Sequence, residues 1–319
     1  MKTMSMRTKT WMLLSFVLLF AIKGKAQYDA MFTQYMFNEM FINPAYAGSK
    51  EAMSATLLHR QQWLGFAGRP ITTSFSLHGP LMENKMGVGL SILNEKIATQ
   101  NRNLIYGSYA YRLKAGENGK LALGLMAGIE NQVNKFGDLK VNDVGPADPQ
   151  FSQNSPSIVA PNFGFGAYYN TKTFYGGLSV PRMIDNHLKL SSGSAVKRTS
   201  KLDFSKFTYC IIAGNVFTLN DELKLKANGM IKMVQSAPMQ LDLGASAIFR
   251  DMFWGGLSFR TGSAMSIILG IQANKQLFVS YAYDYGLNKI QRYSQGSHEI
   301  VLSYLFSYKT NKITSVRYF

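Results

Sequence analysis

At 319 residues the chain could hold one large or two ordinary domains, and 46% apolar, 16% charged and 13% aromatic residues, with 28 Gly and only 9 Pro, suit many strands and few long surface helices. No run approaches the roughly 18 apolar residues of a membrane helix, but strand-built membrane proteins evade that test because half of each strand is polar. The formal net charge of +16 marks a basic chain, and a single cysteine, Cys210, excludes an internal disulfide.

Lys2, Arg7 and Lys9 precede the apolar run 11–22, and the small residues Gly24 and Ala26 stand where a signal peptidase reads them, before Gln27. Residues 1–26 are therefore expected to be a cleaved signal peptide, because twelve apolar residues are too few to span a bilayer. Its removal takes away five cations and no anion, so the net charge falls from +16 to +11. A basic rim or lumen would draw lipopolysaccharide phosphates or an acidic partner; the alternative is a generally cationic, solubilising surface.

Residues 27–49 follow, rich in Met and aromatics. Phe32, Tyr35, Met36 and Met40 recur at helical spacing, and Asn43-Pro44 ends the run. A short apolar helix here has to be buried, either as a plug in a barrel mouth or packed under the periplasmic rim.

From residue 50 onward the chain reads as strands of period two. Fourteen candidates fall at 52–61, 71–79, 86–94, 102–113, 120–132, 162–169, 173–180, 204–219, 222–234, 239–249, 252–260, 264–272, 276–285 and 298–308. The even-numbered connections are short, whereas the odd-numbered ones include every long loop: 62–70, 95–101, 133–161, 181–203 and 286–297. Such parity is the mark of an outer-membrane barrel, and a soluble sandwich gives no reason for it. The fold class is thus an all-β transmembrane barrel of about 14 antiparallel strands over 50–308, preceded by the plug-like or rim segment and followed by a periplasmic tail, 309–319. The last two strands pair as a hairpin that closes on the first strand near Ala52.

Alternation also sorts the charges. In 239–250, Leu241, Leu243, Ala245, Ala247 and Phe249 oppose Gln240, Asp242, Gly244, Ser246 and Arg250, with Ile248 the misfit. Phe278 likewise joins the polar face of its strand. Cations cannot cheaply face lipid at mid-depth, so Arg112, Lys224, Lys226, Lys232, Arg250 and Arg260 are expected in the lumen or at the rims, with Asp242 and Glu130 as their partners.

Enzymatic arrangements are scarce: there is no G-x-S-x-G, Cys pair, H-E-x-x-H or phosphate loop. Ser297-His298-Glu299 is the nearest constellation, yet neighbours in a strand face opposite ways. Asp138, Asp143 and Asp148 match no calcium-loop spacing. Nothing points to a cofactor, a metal or nucleic acid. The informative loops expose apolar and aromatic groups: Trp63, Leu64, Phe66 and Arg69 in the first, Ile290, Arg292 and Tyr293 in the last. Aromatics and Arg anchor protein interfaces, so these are the candidate partner-binding residues; the alternative is an aromatic girdle or loop-on-loop packing.

Gln34-Tyr35 followed by Asn43-Pro44-Ala45 and Gly48, then Arg60-Gln61-Gln62-Trp63, then Gly87-Val88-Gly89-Leu90 resembles the PorP/SprF family of type IX secretion proteins. The closing hairpin, Tyr281-Ala282-Tyr283-Asp284-Tyr285 with Gly296-Ser297-His298-Glu299, is similar to that family's C-terminal pattern. The resemblance implies a Bacteroidota outer-membrane barrel that works with other secretion components. It implies as partner a large secreted adhesin, held at the surface through its C-terminal domain, in some members for gliding motility. It brings no catalytic residues.

Overall fold

The structure, a computed structural model, describes residues 30–136, 154–190, 196–235 and 237–306, with the side chains of 185–190 and 196–199 outside the description. The expected signal peptide and the tail beyond 306 also lie outside the described residues.

Among the described residues sixteen strands run from Met53 to Phe306, and alternation of lipid-soluble and polar side chains shapes those of the barrel. Fourteen of them form one closed antiparallel barrel: β1 (Met53–Gln61), β2 (Ile71–Leu81), β3 (Met86–Ile97), β4 (Gln100–Ala115), β5 (Gly119–Asn134), β6 (Ile158–Asn170), β7 (Phe174–Val180), β10 (Tyr209–Thr218), β11 (Leu223–Met233), β12 (Gln240–Phe249), β13 (Phe253–Arg260), β14 (Ala264–Gln272), β15 (Leu277–Gly286) and β16 (Ser297–Phe306). Closure comes from β1 pairing β16, from Met53 opposite Phe306 to Gln61 opposite His298, as the final hairpin predicts. A closed barrel satisfies every ladder hydrogen bond without water, which is what a strand-built membrane protein requires.

Outward faces are apolar. Leu125, Leu178, Leu257 and Leu269 are each more than half exposed, the arrangement of a lipid-facing band. Inward faces carry small and polar residues, as in β2, where Thr72, Ser74, Ser76 and His78 are all buried.

Three features depart from the expectation. The run 95–101 is strand almost throughout, since β3 and β4 pair out to Ile97 opposite Gln100 and leave a two-residue turn. Within the loop 181–203 an extra hairpin forms, β8 (Ile184–Leu190) with β9 (Val196–Leu202), outside the barrel sheet. And residues 30–50 contain no α-helix: they fold as three short 3-10 turns, Tyr35–Phe37, Glu39–Phe41 and Pro44–Tyr46. Asn38, at φ −135° and ψ 40° between the first two turns, is not helical and breaks the repeat.

Candidate functional site

The N-terminal segment lies against the inward faces of the strands, and its side chains account for much of the interior. Tyr35, Met36, Met40, Ala45, Tyr46 and Ala47 are buried in one apolar cluster with inward residues such as Leu58, Leu104, Met126 and Ile212. Phe37 packs on Trp254, Phe278 and Ile248. Ile248 and Phe278, the misfits of the alternation, are thus inward apolar residues that receive Phe37.

Where the segment starts, on the side of the long loops, polar groups hold it. The Glu299 carboxylate accepts the backbone N–H groups of Thr33 at 2.9 Å and Gln34 at 2.7 Å. Arg60 donates to Glu299 at 3.1 Å, to Asp284 at 2.6 Å and to the Thr33 hydroxyl at 2.8 Å. Thr33 in turn donates to Asp284, and Arg260 donates to the Phe32 carbonyl while pairing with Asp242 at 2.8 Å. Arg60 and Glu299 are register partners on β1 and β16, so the pair also spans the seam that closes the barrel. Charge-assisted bonds of this kind are the strong ones, and removing either buried partner strands the other.

Midway, Glu39 and Lys226 are both buried, and the Lys226 ammonium sits over the rings of Phe37, Tyr175 and Trp254 at 5.6, 5.9 and 5.7 Å. The negative ring faces and the Glu39 carboxylate together compensate an ammonium that has left water.

Toward the short turns the wall is notched with glycine. A Cβ at Gly124 would stand 2.2 Å from the Ala45 nitrogen, and one at Gly166 would stand 2.2 Å from the Asn43 side chain. Asn43 donates to the Ala167 carbonyl at 2.9 Å and caps the turn that Pro44 begins. Gly48, at φ +72°, accepts the left-handed bend that leads the segment toward β1, and its N–H donates to His78 at 2.9 Å.

The charged residues expected inside divide between lumen and rim. Arg112, Lys226, Lys232 and Asp242 are buried on inward faces. Lys224 and Arg250 stand instead at the short-turn rim, paired with Asp251 and Glu222, because they lie at the ends of their strands beside the turns. Glu130 takes Arg102 at 3.2 Å and Arg182 at 2.9 Å and also accepts from Tyr106 and Asn162. Composition did not identify the Arg60, Asp284 and Glu299 group. Its legible signal was two carboxylates on the polar faces of neighbouring strands with an arginine at matching depth.

The two loops with exposed aromatics meet at the outer rim. Leu64 donates its N–H to the Gly296 carbonyl at 2.7 Å and accepts that of Gln295 at 2.8 Å, while the Trp63 N–H donates to the Ser297 hydroxyl. Gly68 accepts the N–H of Ala98 from the neighbouring turn, and Arg69 donates to Gln61. Trp63, Leu64, Arg69 and Ile290 are half-buried, whereas Phe66, Arg292 and Tyr293 are exposed, Tyr293 by 74%. The Ser297-His298-Glu299 run is split by the pleat: Ser297 and Glu299 are buried inside, and His298 bonds the Tyr281 hydroxyl at 2.6 Å. The loop aspartates 138, 143 and 148 lie outside the described residues.

Among solved structures the chain is similar to the KdgM porin in complex with disordered oligogalacturonate (9% identity, TM-score 0.40, 80% of this chain and 99% of that one). It is similar also to a Pseudomonas aeruginosa FadL homologue (12%, TM-score 0.46, 86% and 94%) and to the CymD monoaromatic hydrocarbon channel (10%, TM-score 0.45, 89% and 95%). No curated protein sequence matches it. The model of the type IX secretion system membrane protein PorP/SprF matches residues 24–304. With barrel, outward apolar band and family in agreement, this chain belongs to the PorP/SprF family of type IX secretion system outer-membrane proteins.

Proposed function

We propose that this barrel is a non-enzymatic anchor that holds an exported protein at the cell surface through the platform built from residues 62–70 and 286–297. The observation that carries it is the pair of exposed aromatics, Phe66 and Tyr293, on a framework cross-linked by main-chain hydrogen bonds. Rigid aromatic anchors bury much area at low entropic cost, which is what a binding surface needs. Arg292 beside them supplies a cation for an acidic partner or for lipopolysaccharide phosphates. The exported protein is taken to be a large adhesin held by its C-terminal domain, the partner class that the family resemblance brings, with other secretion components meeting the short-turn face.

Residues 30–50 act in this proposal as a plug. Their buried apolar cluster, the polar clamp at Thr33 and Gln34 and the glycine-notched wall all support a sealed lumen, which separates an anchor from a solute channel. The test is affinity capture of the tagged protein from native outer membranes. Wild type should bring down a large surface protein, and the Phe66→Ser/Tyr293→Ser variant, with an unchanged barrel, should lose it. Equal capture by both, or solute conductance by the wild-type protein in planar bilayers, would refute the anchor.

A further inference from the structure

In the half of the lumen toward the long loops the N-terminal segment, through Phe32, Tyr35, Met40 and Ile42, packs against one side of a space that it does not fill. A cavity of about 80 Å³ remains there. Its walls are apolar, with Leu93 and Leu104 from β3 and β4, Met126 from β5, Cys210 from β10 and Met230 from β11. Lumens of water-filled barrels are polar, so an apolar one needs an explanation. Four cations, Arg102, Arg182, Lys232 and Arg260, also line it, and no carboxylate does: the acids that pair them, Glu130 and Asp242 among these, stand outside the lining. Arg182, which follows β7, has the most exposed side chain of the three arginines there, at 24%. The Ser91 hydroxyl is buried at the cavity without a hydrogen-bond partner. Arg102, Lys232 and Arg260 lie at the long-loop ends of β4, β11 and β13, so the charged part of the cavity is on that side.

From this geometry we infer that the cavity is a binding site for the end of an exported polypeptide: one branched apolar side chain enters the Met- and Leu-lined space, and the terminal carboxylate meets the cationic lining at Arg182. An apolar floor accounts for a side chain of roughly isobutyl size, and an all-cationic set of charged lining groups accounts for a carboxylate. The assignment rests on the surface-anchoring function proposed above and adds which part of the partner enters the barrel.

The test uses the full-length protein in detergent, labelled with ¹³C-methyl methionine. The probe is the acetylated tetrapeptide Gly-Gly-Gly-Leu as the free acid, beside its C-terminal amide and beside 4-methylpentanoate. The free acid should shift the methyl signals of Met40, Met126 and Met230 and leave that of Met252, in a turn at the short-turn rim, in place. The amide should bind about tenfold more weakly, and Arg182→Gln should reduce the acid to the level of the amide. No shift at millimolar peptide, or equal shifts by acid and amide, would overturn the site. Binding of 4-methylpentanoate as tight as that of the peptide would overturn the polypeptide as its source. The Phe66→Ser/Tyr293→Ser barrel separates the two proposals: it should keep these shifts while losing surface capture. A silent cavity with capture that still depends on Phe66 and Tyr293 overturns the cavity assignment alone.

Discussion

The backbone N–H of Gln34 donates to the Glu299 carboxylate at 2.7 Å, across 265 positions of sequence. That bond ties the first described turn of the chain to the strand that closes the barrel. Glu299 therefore serves two structures at once, the lumen segment through Thr33 and Gln34 and the β1–β16 seam through Arg60.

Replacing it should loosen both. Glu299→Ala leaves Arg60 buried with Asp284 alone and two N–H groups without an acceptor, a cost of about 3–5 kcal/mol. Urea unfolding in detergent should record that loss, and planar-bilayer recordings should show more conductance than the wild type gives. A stable, silent Glu299→Ala barrel would show that the clamp does not hold the segment.

Glu39 and Lys226 should behave as a coupled pair. Lys226→Met strands a buried carboxylate and should cost about 3–5 kcal/mol, whereas Lys226→Met with Glu39→Gln should recover most of it. A double-mutant cycle of unfolding free energies measures the coupling, and additive losses would mean that the two do not interact.

The glycine notches make a sharper steric prediction. Gly124→Val and Gly166→Val place atoms onto Ala45 and Asn43 and should cost about 1–3 kcal/mol or displace the segment. Gly255, with nothing within 4 Å of a built Cβ, is the internal control, and Gly255→Ala should change stability by less than about 0.5 kcal/mol. Limited proteolysis of the segment should follow the same order.

Asn162 fastens the extra hairpin. Its side chain accepts the N–H groups of Met183 and Ile184 at 3.0 and 3.1 Å and donates to the Ile184 carbonyl at 3.1 Å. Asn162→Ala should cost about 1–3 kcal/mol locally and raise hydrogen exchange at Ile184 more than at Met183, whose N–H also donates to the Phe163 carbonyl at 3.0 Å, with the exchange of β10 to β16 unchanged. Exchange that stays slow at those two amides would mean that other contacts hold the hairpin.

The barrel was legible in the sequence because lipid imposes a rule on every strand: one face apolar, period two, with short turns on one side. Fourteen strands and the closing pair follow from that rule, which expects Arg112, Lys224, Lys226, Lys232, Arg250 and Arg260 in the lumen or at the rims without dividing the two. Ile248 and Phe278 broke it and were the visible trace of something apolar inside, though alternation could not say that Phe37 was the object. The hairpin β8–β9 went unread because, outside the barrel sheet, it is released from the lipid rule. Strand ends at 95–101 were lost because residues there have left the bilayer, and polar side chains on both faces look like loop.

What the sequence by itself determined is therefore the wall of this protein and the direction in which each strand residue faces. Only the tertiary structure decided what the wall encloses. A glycine at 124 or 166 looks like any strand glycine until Ala45 and Asn43 are seen against it. Arg60, Asp284 and Glu299 are three dispersed charges until closure brings β1, β15 and β16 side by side. Hydrogen bonds between the segment and the wall join residues from 27 to 266 positions apart, and no local periodicity records which of them meet, because distance in the chain says nothing about depth in the barrel.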